Sequence, residues 1–158
     1  MAHILYSDQH GFRKNDTIIT NMFKFANETT ENLDKGFQMD SIYLDYSKAF
    51  DKADLDLIIK KLDNLGIRNK ALTWIKSYLF GRKLAVSLKG SYSNWFAATS
   101  GVAQGSHSGP LLFLIFINDL PDRIQYSTLE LFADDTHLRK IIISPIDNIL
   151  LQCDINNL

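Results

Sequence analysis

The chain has 158 residues, of which 46% are hydrophobic and 22% charged, with a formal net charge of −1 at pH 7. This length and apolar content predict one globular domain and exclude a disordered chain, and a near-neutral charge is unusual for a free-standing nucleic-acid-binding protein. The single cysteine, Cys153, excludes an internal disulfide and is predicted to be a small buried hydrophobe. No apolar run reaches the roughly 20 residues that span a bilayer, and no secretory signal begins the chain, so we expect a soluble intracellular protein.

The first predicted elements are a helix and a strand. Asp16 or Thr17 can cap a helix at 17–35, in which mostly apolar residues recur at helical spacing. We expect this helix to contribute packing and no chemistry. Alternating apolar residues at 39–44 then predict a strand, which ends at Asp45 just before another helix begins.

Two helices and a hairpin are predicted next. Asp54 and Asn69 are placed to cap the helices, and alternating residues between 84 and 102 predict the hairpin. A glycine-rich loop at 100–109 follows, where backbone can approach a ligand closely, although a plain strand-to-helix connection has the same composition. The apolar run Leu111–Ile117 is too short to cross a bilayer and predicts a buried helix.

A second hairpin contains two adjacent acids, Asp134 and Asp135, between strand-like apolar residues. Two carboxylates a few ångströms apart resist ionising together, so a bound cation would stabilise them. With Asp45 they offer the hard oxygen ligands that Mg²⁺ prefers. Taken singly, an Asp pair is more often a solvated turn and a strand-terminal Asp is more often a helix cap. The metal hypothesis therefore depends on their occurrence together.

Charge is unevenly distributed along the chain. Residues 60–89 contain eight Lys and Arg residues and one acid, whereas residues 28–56 contain eight acids and three lysines. A basic stretch beside an acidic metal site would suit a phosphate backbone. The alternative is a solvated helix face.

Three segments, in chain order, resemble successive motifs of one known family. They read Y-L-D-Y-S-K-A-F-D-K-A-D from Tyr43, S-G-V-A-Q-G-S-x-x-G-P-L-L-F from Ser100 and F-A-D-D-T from Phe132. Together they look like the reverse transcriptase domain of non-LTR, LINE-like retrotransposons, and most like its jockey-like group. A weaker match at residues 9–14, Q-H-G-F-R-K, resembles the fingers motif that precedes them.

The resemblance implies a fold, an activity and partners. The fold is an α+β polymerase palm at 39–158, an antiparallel or mixed sheet with helices packed on one face, with 1–38 as a fingers segment and no thumb. The activity is RNA-directed DNA polymerisation, in which nucleotides pass from dNTPs to a primer 3′ end on an RNA template. Two Mg²⁺ ions, or Mn²⁺, are the implied cofactors. The implied partners are the RNA template, the DNA primer and dNTPs, and no membrane is involved.

The resemblance also assigns roles to residues. It implies that Asp45 and Asp134 bind the two metals, that Asp135 completes the carboxylate cluster, and that the backbone carbonyl of Tyr46 is a further metal ligand. It also implies that four more residues contact the nucleotide. Arg13 would bind the triphosphate, and Phe50 would be the steric gate that excludes a ribose 2′-OH. Gln104 and Gly105 would support the nucleotide and the template.

Two alternatives stay open from the sequence. Relative to the family, the chain begins just before the fingers motif and stops inside the helix that follows the acidic hairpin. It is therefore expected to be a partial domain, and one alternative is an inactive remnant with at most weak nucleic-acid binding. The other is a different phosphoryl-transfer enzyme with three carboxylates, such as a nuclease.

Overall fold

The computed structural model describes residues 4–13 and 17–158. They form two compact units, Met1–Ser47 with Ile117–Leu158, and Lys48–Phe116. The elements in chain order are α1 (Ile18–Asp34), β1 (Gln38–Leu44), α2 (Ala49–Lys52), α3 (Leu55–Asn64), α4 (Asn69–Leu79), β2 (Lys83–Leu84), β3 (Ser87–Leu88), β4 (Ser91–Tyr92), β5 (Phe96–Ala97), α5 (Gly109–Ile117), the 3₁₀ helix Leu120–Arg123, β6 (Thr128–Phe132), β7 (Asp135–Ile142) and α6 (Pro145–Asn157). Helices and strands are mixed along the chain, which confirms the predicted α+β class.

The first unit is built on a three-stranded antiparallel sheet. β7 lies in the centre, with β1 on one side and β6 on the other. The register places Leu44 opposite Thr136 in one pair and Phe132 opposite Asp135 in the other. Because neighbouring side chains of a strand point to opposite faces, this register decides which residues share each face.

One face of this sheet is apolar and forms the core of the unit. Leu129, Leu131 and Leu138 from β6 and β7 pack with Leu151 of α6, and all four are buried. Half-buried apolar residues surround them, including Ile42 of β1. Because α6 covers this face of the sheet, the apolar residues of β1, β6 and β7 that point to this face pack towards that helix.

The helix α1 forms as predicted, but the face that it buries is different. The Thr17 side chain accepts a hydrogen bond from the Thr20 amide and completes a capping box, whereas the alternative cap, Asp16, lies outside the described residues. Met22 and Leu33, two of the apolar residues at helical spacing, are 64% and 57% exposed, and Asn32 is buried instead.

In the second unit, α3 and α4 pack together and α5 is apolar at every position after its first residue. The Asp54 side chain caps α3 as predicted, accepting a hydrogen bond from the Leu57 amide. The prediction for Asn69 is wrong, because Asn69 is the first residue of α4, at φ 56°, and the preceding Arg68 makes no side-chain cap. The buried apolar residues of the unit are Ala53, Leu55, Ile58, Ile59, Leu62, Leu79, Val102, Leu112, Phe113, Leu114 and Ile115.

Two further expectations are modified by the structure. The hairpin predicted between residues 84 and 102 exists as two short ladders, β2 with β5 and β3 with β4, and its strand residues are exposed. Cys153 was predicted to be buried and is exposed, because α6 turns Leu151 and Asp154 inward instead. Among the described helices, none is both long and apolar enough to cross a membrane.

Candidate active site

The end of β1 and the start of β7 bring two of the predicted acids to the same edge of the sheet. Leu44 pairs with Thr136, so Asp45 follows one member of the pair and Asp135 precedes the other. In an antiparallel pair these two positions are neighbours on one face. Asp45 and Asp135 accordingly line one pocket of about 450 Å³.

The turn between β6 and β7 contains the third acid, Asp134. Phe132 pairs with Asp135, which leaves Ala133 and Asp134 as the two turn residues. Ala133 has φ 57°, as a tight two-residue hairpin turn with this twist requires, although alanine rarely adopts it. Asp134 is half-buried and is not among the residues that line the pocket.

The three carboxylates interact electrostatically. Partial burial raises the pKa of Asp135 above its ordinary value, and the negative charges of Asp134 and Asp45 raise it further. Like charges within a few ångströms of a carboxylate disfavour its ionised form, and burial acts in the same direction. The raised pKa thus indicates that the residues predicted to share a metal lie close enough to influence one another.

The walls of the pocket come from α1 and from residues of β1, β6 and β7. Beside Asp45 and Asp135 they comprise Asn21, Met22 and Phe25 of α1 and Tyr43, Leu44, Glu130, Phe132, Thr136 and His137 of the strands. The Tyr43 and His137 rings are stacked with centroids 4.3 Å apart, and the edge of Phe25 meets His137 at 5.0 Å. The pocket is therefore acidic at one end and aromatic along its side.

A buried ion-pair network lies next to the pocket. Both terminal nitrogens of Arg139 donate to the Glu130 carboxylate, at 2.7 and 3.1 Å, and Nη2 also lies 2.7 Å from Glu28 of α1. Arg139 and Glu130 are each 1% exposed. Burial alone would raise the pKa of Glu130, but His137 and the charges of Arg139 and Lys24 outweigh it and lower the pKa from 4.5 to about 2.

The donor set fits a hard divalent cation. Carboxylate oxygens are what Mg²⁺ prefers, and Mg²⁺ commonly uses only one or two carboxylates while keeping several waters. Within residues 4–13 and 17–158, no group of three or more His, Cys, Asp or Glu side chains is placed so that it could hold a metal ion by itself. A metal bound by Asp45 and Asp135 would need to take its remaining ligands from water and substrate oxygens.

Tyr46 and Arg13, two other predicted site residues, lie in the first unit. Tyr46 is the second residue after β1, and its hydroxyl is buried without a hydrogen-bond partner among the described residues. Arg13 donates from Nη1 to the backbone carbonyl oxygens of Tyr6, Ser7 and Gln9, at 3.1, 2.8 and 3.0 Å. Arg13 thus stabilises the loop in which it lies. The metal contact of the Tyr46 carbonyl and the triphosphate contact of Arg13 stay predictions.

The second unit contains the remaining predicted residues, Phe50, Gln104 and Gly105. The ring of Phe50 stacks on buried Phe113, with centroids 4.2 Å apart. The Gln104 amide donates to a carboxylate oxygen of Asp51 at 3.3 Å, and Gly105 has φ 73° with open space around it. Their proposed contacts with a nucleotide and template stay predictions.

The glycine-rich loop is held against α2 by its backbone. The Gly101 amide donates to the Ala53 carbonyl and the Val102 amide to the Phe50 carbonyl, each at 2.8 Å. Gly101 has φ 78°, and a Cβ there would lie 2.5 Å from the Asp51 carbonyl oxygen. A glycine is therefore required at this position both for its conformation and for space.

The basic stretch at 60–89 divides into two groups. Lys61, Arg68 and Arg82 contact protein groups: Lys61 the Phe116 carbonyl, Arg68 the Asp63 carboxylate, and Arg82 the carbonyls of Leu79, Ser100 and Gly101. The other five, which are all exposed, are Lys60, Lys70, Lys76, Lys83 and Lys89. These five exposed lysines could therefore contact a phosphate backbone.

Sequence reasoning did not identify three residues around the acidic turn. Glu130 lies between two leucines of β6 and Arg139 follows Leu138 in β7, and a charged residue beside apolar strand residues was the available signal. Gln9 lay inside the quoted fingers motif without an assigned role, and it is 2% exposed in the structure. Its contacts connect distant parts of the chain, which local patterns do not reveal.

The sheet with its acidic edge and its flanking helices is a polymerase palm. A solved structure of apo telomerase from Candida tropicalis, truncated from its C-terminal domain, has the same fold, with a TM-score of 0.63 over 93% of this chain and 32% of that chain. The two sequences are 11% identical, so this likeness concerns the fold alone.

The chain belongs to the reverse transcriptase (RNA-dependent DNA polymerase) family, whose sequence profile matches residues 2–145. It is 30% identical over 142 residues to the probable RNA-directed DNA polymerase from transposon BS of Drosophila melanogaster, covering 85% of this chain and 16% of the relative. It is 33% identical over 132 residues to the corresponding X-element protein of the same species, covering 80% of this chain and 14% of that relative.

The RNA-directed DNA polymerase from mobile element jockey of Drosophila funebris is 32% identical over 115 residues, which cover 73% of this chain and 12% of that relative. The predicted resemblance to jockey-like non-LTR elements is thus confirmed. This chain spans about one sixth or less of the length of these relatives. The family as a whole depends on divalent metal and uses nucleic-acid template and primer with dNTPs.

Proposed function

We propose that this chain forms the metal-binding palm of an RNA-directed DNA polymerase that extends a primer 3′ end with dNTPs on an RNA template. One observation carries the proposal: Asp45, just after β1, and Asp135, at the start of β7, line one pocket, and partial burial together with the charges of Asp134 and Asp45 raises the pKa of Asp135. Such mutual repulsion is relieved when a divalent cation is bound.

Asp45, Asp134 and Asp135 would hold the metal, with the Tyr46 carbonyl as a further oxygen. When bound, Mg²⁺ stabilises the charge that develops on the transferred phosphoryl group and lowers the pKa of the attacking hydroxyl. The task of the protein residues is then to position and neutralise charge. The firm register of β1 on β7 supports this task, because it fixes the spacing of Asp45 and Asp135 through backbone hydrogen bonds.

The second unit would supply contacts to the nucleotide and nucleic acid. The Phe50 ring, braced by Phe113, is a rigid surface suited to exclude a ribose 2′-OH. Gln104 and Gly105 would support the nucleotide and the template. The five exposed lysines of the 60–89 stretch would contact phosphates, which predicts binding that weakens as salt rises.

Primer extension tests the activity. The purified chain is incubated with an RNA template, a labelled DNA primer, dNTPs and Mg²⁺ or Mn²⁺, and extended product is expected. Asp134→Ala and Asp45→Asn should abolish the product. Asp40→Asn, which changes an acid elsewhere on β1, is the matched control and should leave the product unchanged.

A second measurement locates the metal without requiring turnover. Fe²⁺ replaces Mg²⁺, and ascorbate with peroxide generates hydroxyl radicals that cut the backbone near the ion. Cleavage is expected around residues 45 and 134–135 and should be lost in Asp135→Asn. A wild-type chain that neither extends a primer nor is cut at these positions would refute the proposal and favour the inactive remnant, whereas degradation of a labelled template without extension would favour a nuclease.

A further inference from the structure

The segment before α1 is docked along the edge of the acidic hairpin. Gln9 forms a parallel bridge with Leu131 of β6. The His10 amide donates to the Leu131 carbonyl at 2.8 Å, and the Leu131 amide donates to the Asp8 carbonyl at 3.0 Å. The free edge of β6 is thereby paired with a short stretch of chain next to the turn.

The Gln9 side chain reaches from this segment to the turn itself. Its oxygen accepts hydrogen bonds from the Ala133 amide at 2.9 Å and from the Gly11 amide at 2.8 Å. Its Nε2 donates to the Ala133 carbonyl at 3.4 Å. A single carboxamide thus pairs with both polar groups of Ala133, as a neighbouring peptide of a sheet would.

The residue held in this way, Ala133, has a strained backbone conformation. Ala133 is at φ 57° and 5% exposed, and it immediately precedes Asp134 and Asp135. A non-glycine residue persists in this conformation only when its surroundings determine it. Gly11 contributes to the same contact, because a Cβ at Gly11 would lie 2.3 Å from the Ala133 nitrogen. The close approach of the two segments therefore requires glycine at position 11.

We infer that Gln9 is a positioning residue for the acidic turn: its buried carboxamide fixes the Ala133 peptide and thereby the direction in which Asp134 and Asp135 point. Arg13 extends the same arrangement, because its guanidinium binds the Gln9 carbonyl and holds the segment in its loop. The metal-binding consequence rests on the proposed function, whereas the fixing of the turn does not.

The test combines two measurements on the full chain. Amide hydrogen exchange, followed by NMR, reports whether the Ala133 amide is held, and Mn²⁺ titration followed by electron paramagnetic resonance reports metal affinity. In Gln9→Met, which has similar length and no hydrogen-bonding amide, the Ala133 amide should exchange about tenfold faster. Mn²⁺ should bind about tenfold more weakly at a temperature where the variant is fully folded. Gln125→Met, at an exposed position, is the matched control and should change neither.

The outcomes separate the inference from the proposed function. Unchanged Ala133 exchange in Gln9→Met overturns the inference, as does faster exchange with unchanged Mn²⁺ affinity. If the wild type binds no Mn²⁺, the proposed metal site fails, and the Ala133 exchange alone decides whether Gln9 fixes the turn. If Gln9→Met does not fold, Gln9→Asn, which withdraws the carboxamide by one methylene, is measured against the same criteria.

Discussion

Replacing Arg139 by methionine tests how α1 is held on the sheet. The substitution keeps most of the side-chain volume but leaves the Glu130 carboxylate, which is 1% exposed, without its bidentate partner. Removing one member of a buried ion pair typically costs about 3–5 kcal/mol of unfolding free energy. Against a total stability of about 5–15 kcal/mol for a domain, this loss is large.

The pH dependence gives a second measure of the same network. The pKa of Glu130 falls from 4.5 to about 2 on folding, so its contribution is fully present above pH 4.5 and is lost as the pH falls through 2. That difference corresponds to about 3 kcal/mol. In Arg139→Met the Glu130 carboxyl is expected to take up its proton closer to its ordinary pKa, and the loss of stability towards acid should shrink.

Urea unfolding followed by circular dichroism, repeated between pH 7 and pH 2, measures both effects. The double variant Glu130→Leu with Arg139→Met should recover most of the loss, because apolar replacement of a whole buried pair is often neutral. Lys35→Met, which breaks an exposed ion pair with Glu31 on the same region of α1, is the control and should change little. A loss below about 1 kcal/mol in Arg139→Met, or a double variant no more stable than the single one, would refute this account.

Further substitutions test the acidic turn, the glycine-rich loop and the predicted steric gate. Folding raises the pKa of Asp135, so ionisation of this carboxyl opposes folding once the pH rises through the raised pKa. Asp135→Asn should therefore raise the melting temperature at pH 7 in EDTA, with a gain in unfolding free energy of less than about 1 kcal/mol. The gain should vanish at pH 3, and an unchanged melting temperature at pH 7 would count against the prediction. Gly101→Ala and Gly105→Ala both place alanine at a positive φ, which costs about 1–2 kcal/mol. Of these two positions, only at Gly101 does the new Cβ meet a backbone oxygen. Urea unfolding should therefore show a clearly larger loss of stability for Gly101→Ala, and equal losses would contradict the packing described. Phe50→Val removes a ring that stacks on Phe113 and should lower the unfolding free energy, measured in urea, by about 1–2 kcal/mol. The same substitution should raise ribonucleotide incorporation in primer extension. Unchanged sugar selectivity in an active enzyme would show that Phe50 is not the steric gate.

Much of the fold follows from local patterns in the sequence. Strand alternation predicted β1 and the acidic hairpin, and the cap at Asp54 with the spacing of Leu55, Ile58, Ile59 and Leu62 predicted α3. These features depend on a few consecutive residues, so the 2.0 and 3.6 periods report them directly. The joint position of Asp45 and Asp135 required the family resemblance, because no local pattern states which strands are neighbours.

The parts that sequence reasoning missed depend on contacts between distant residues. Glu28 of α1 lies 2.7 Å from Arg139 of β7, and the buried Asn32 side chain donates to the Glu28 carbonyl; no pattern within α1 predicts the contact with Arg139. Cys153 is exposed because Asp154 is turned inward, where its carboxylate accepts hydrogen bonds from the amides of Gln125 and Tyr126. In each case a buried polar group with a specific partner overrides the hydrophobic pattern.

The Gln9–Ala133 contact joins residues 124 positions apart. During synthesis the glutamine leaves the ribosome long before its partner exists, and forming such a remote contact carries a large loop-closure entropy. The turn can therefore gain the support of Gln9 only after residue 133 has been translated.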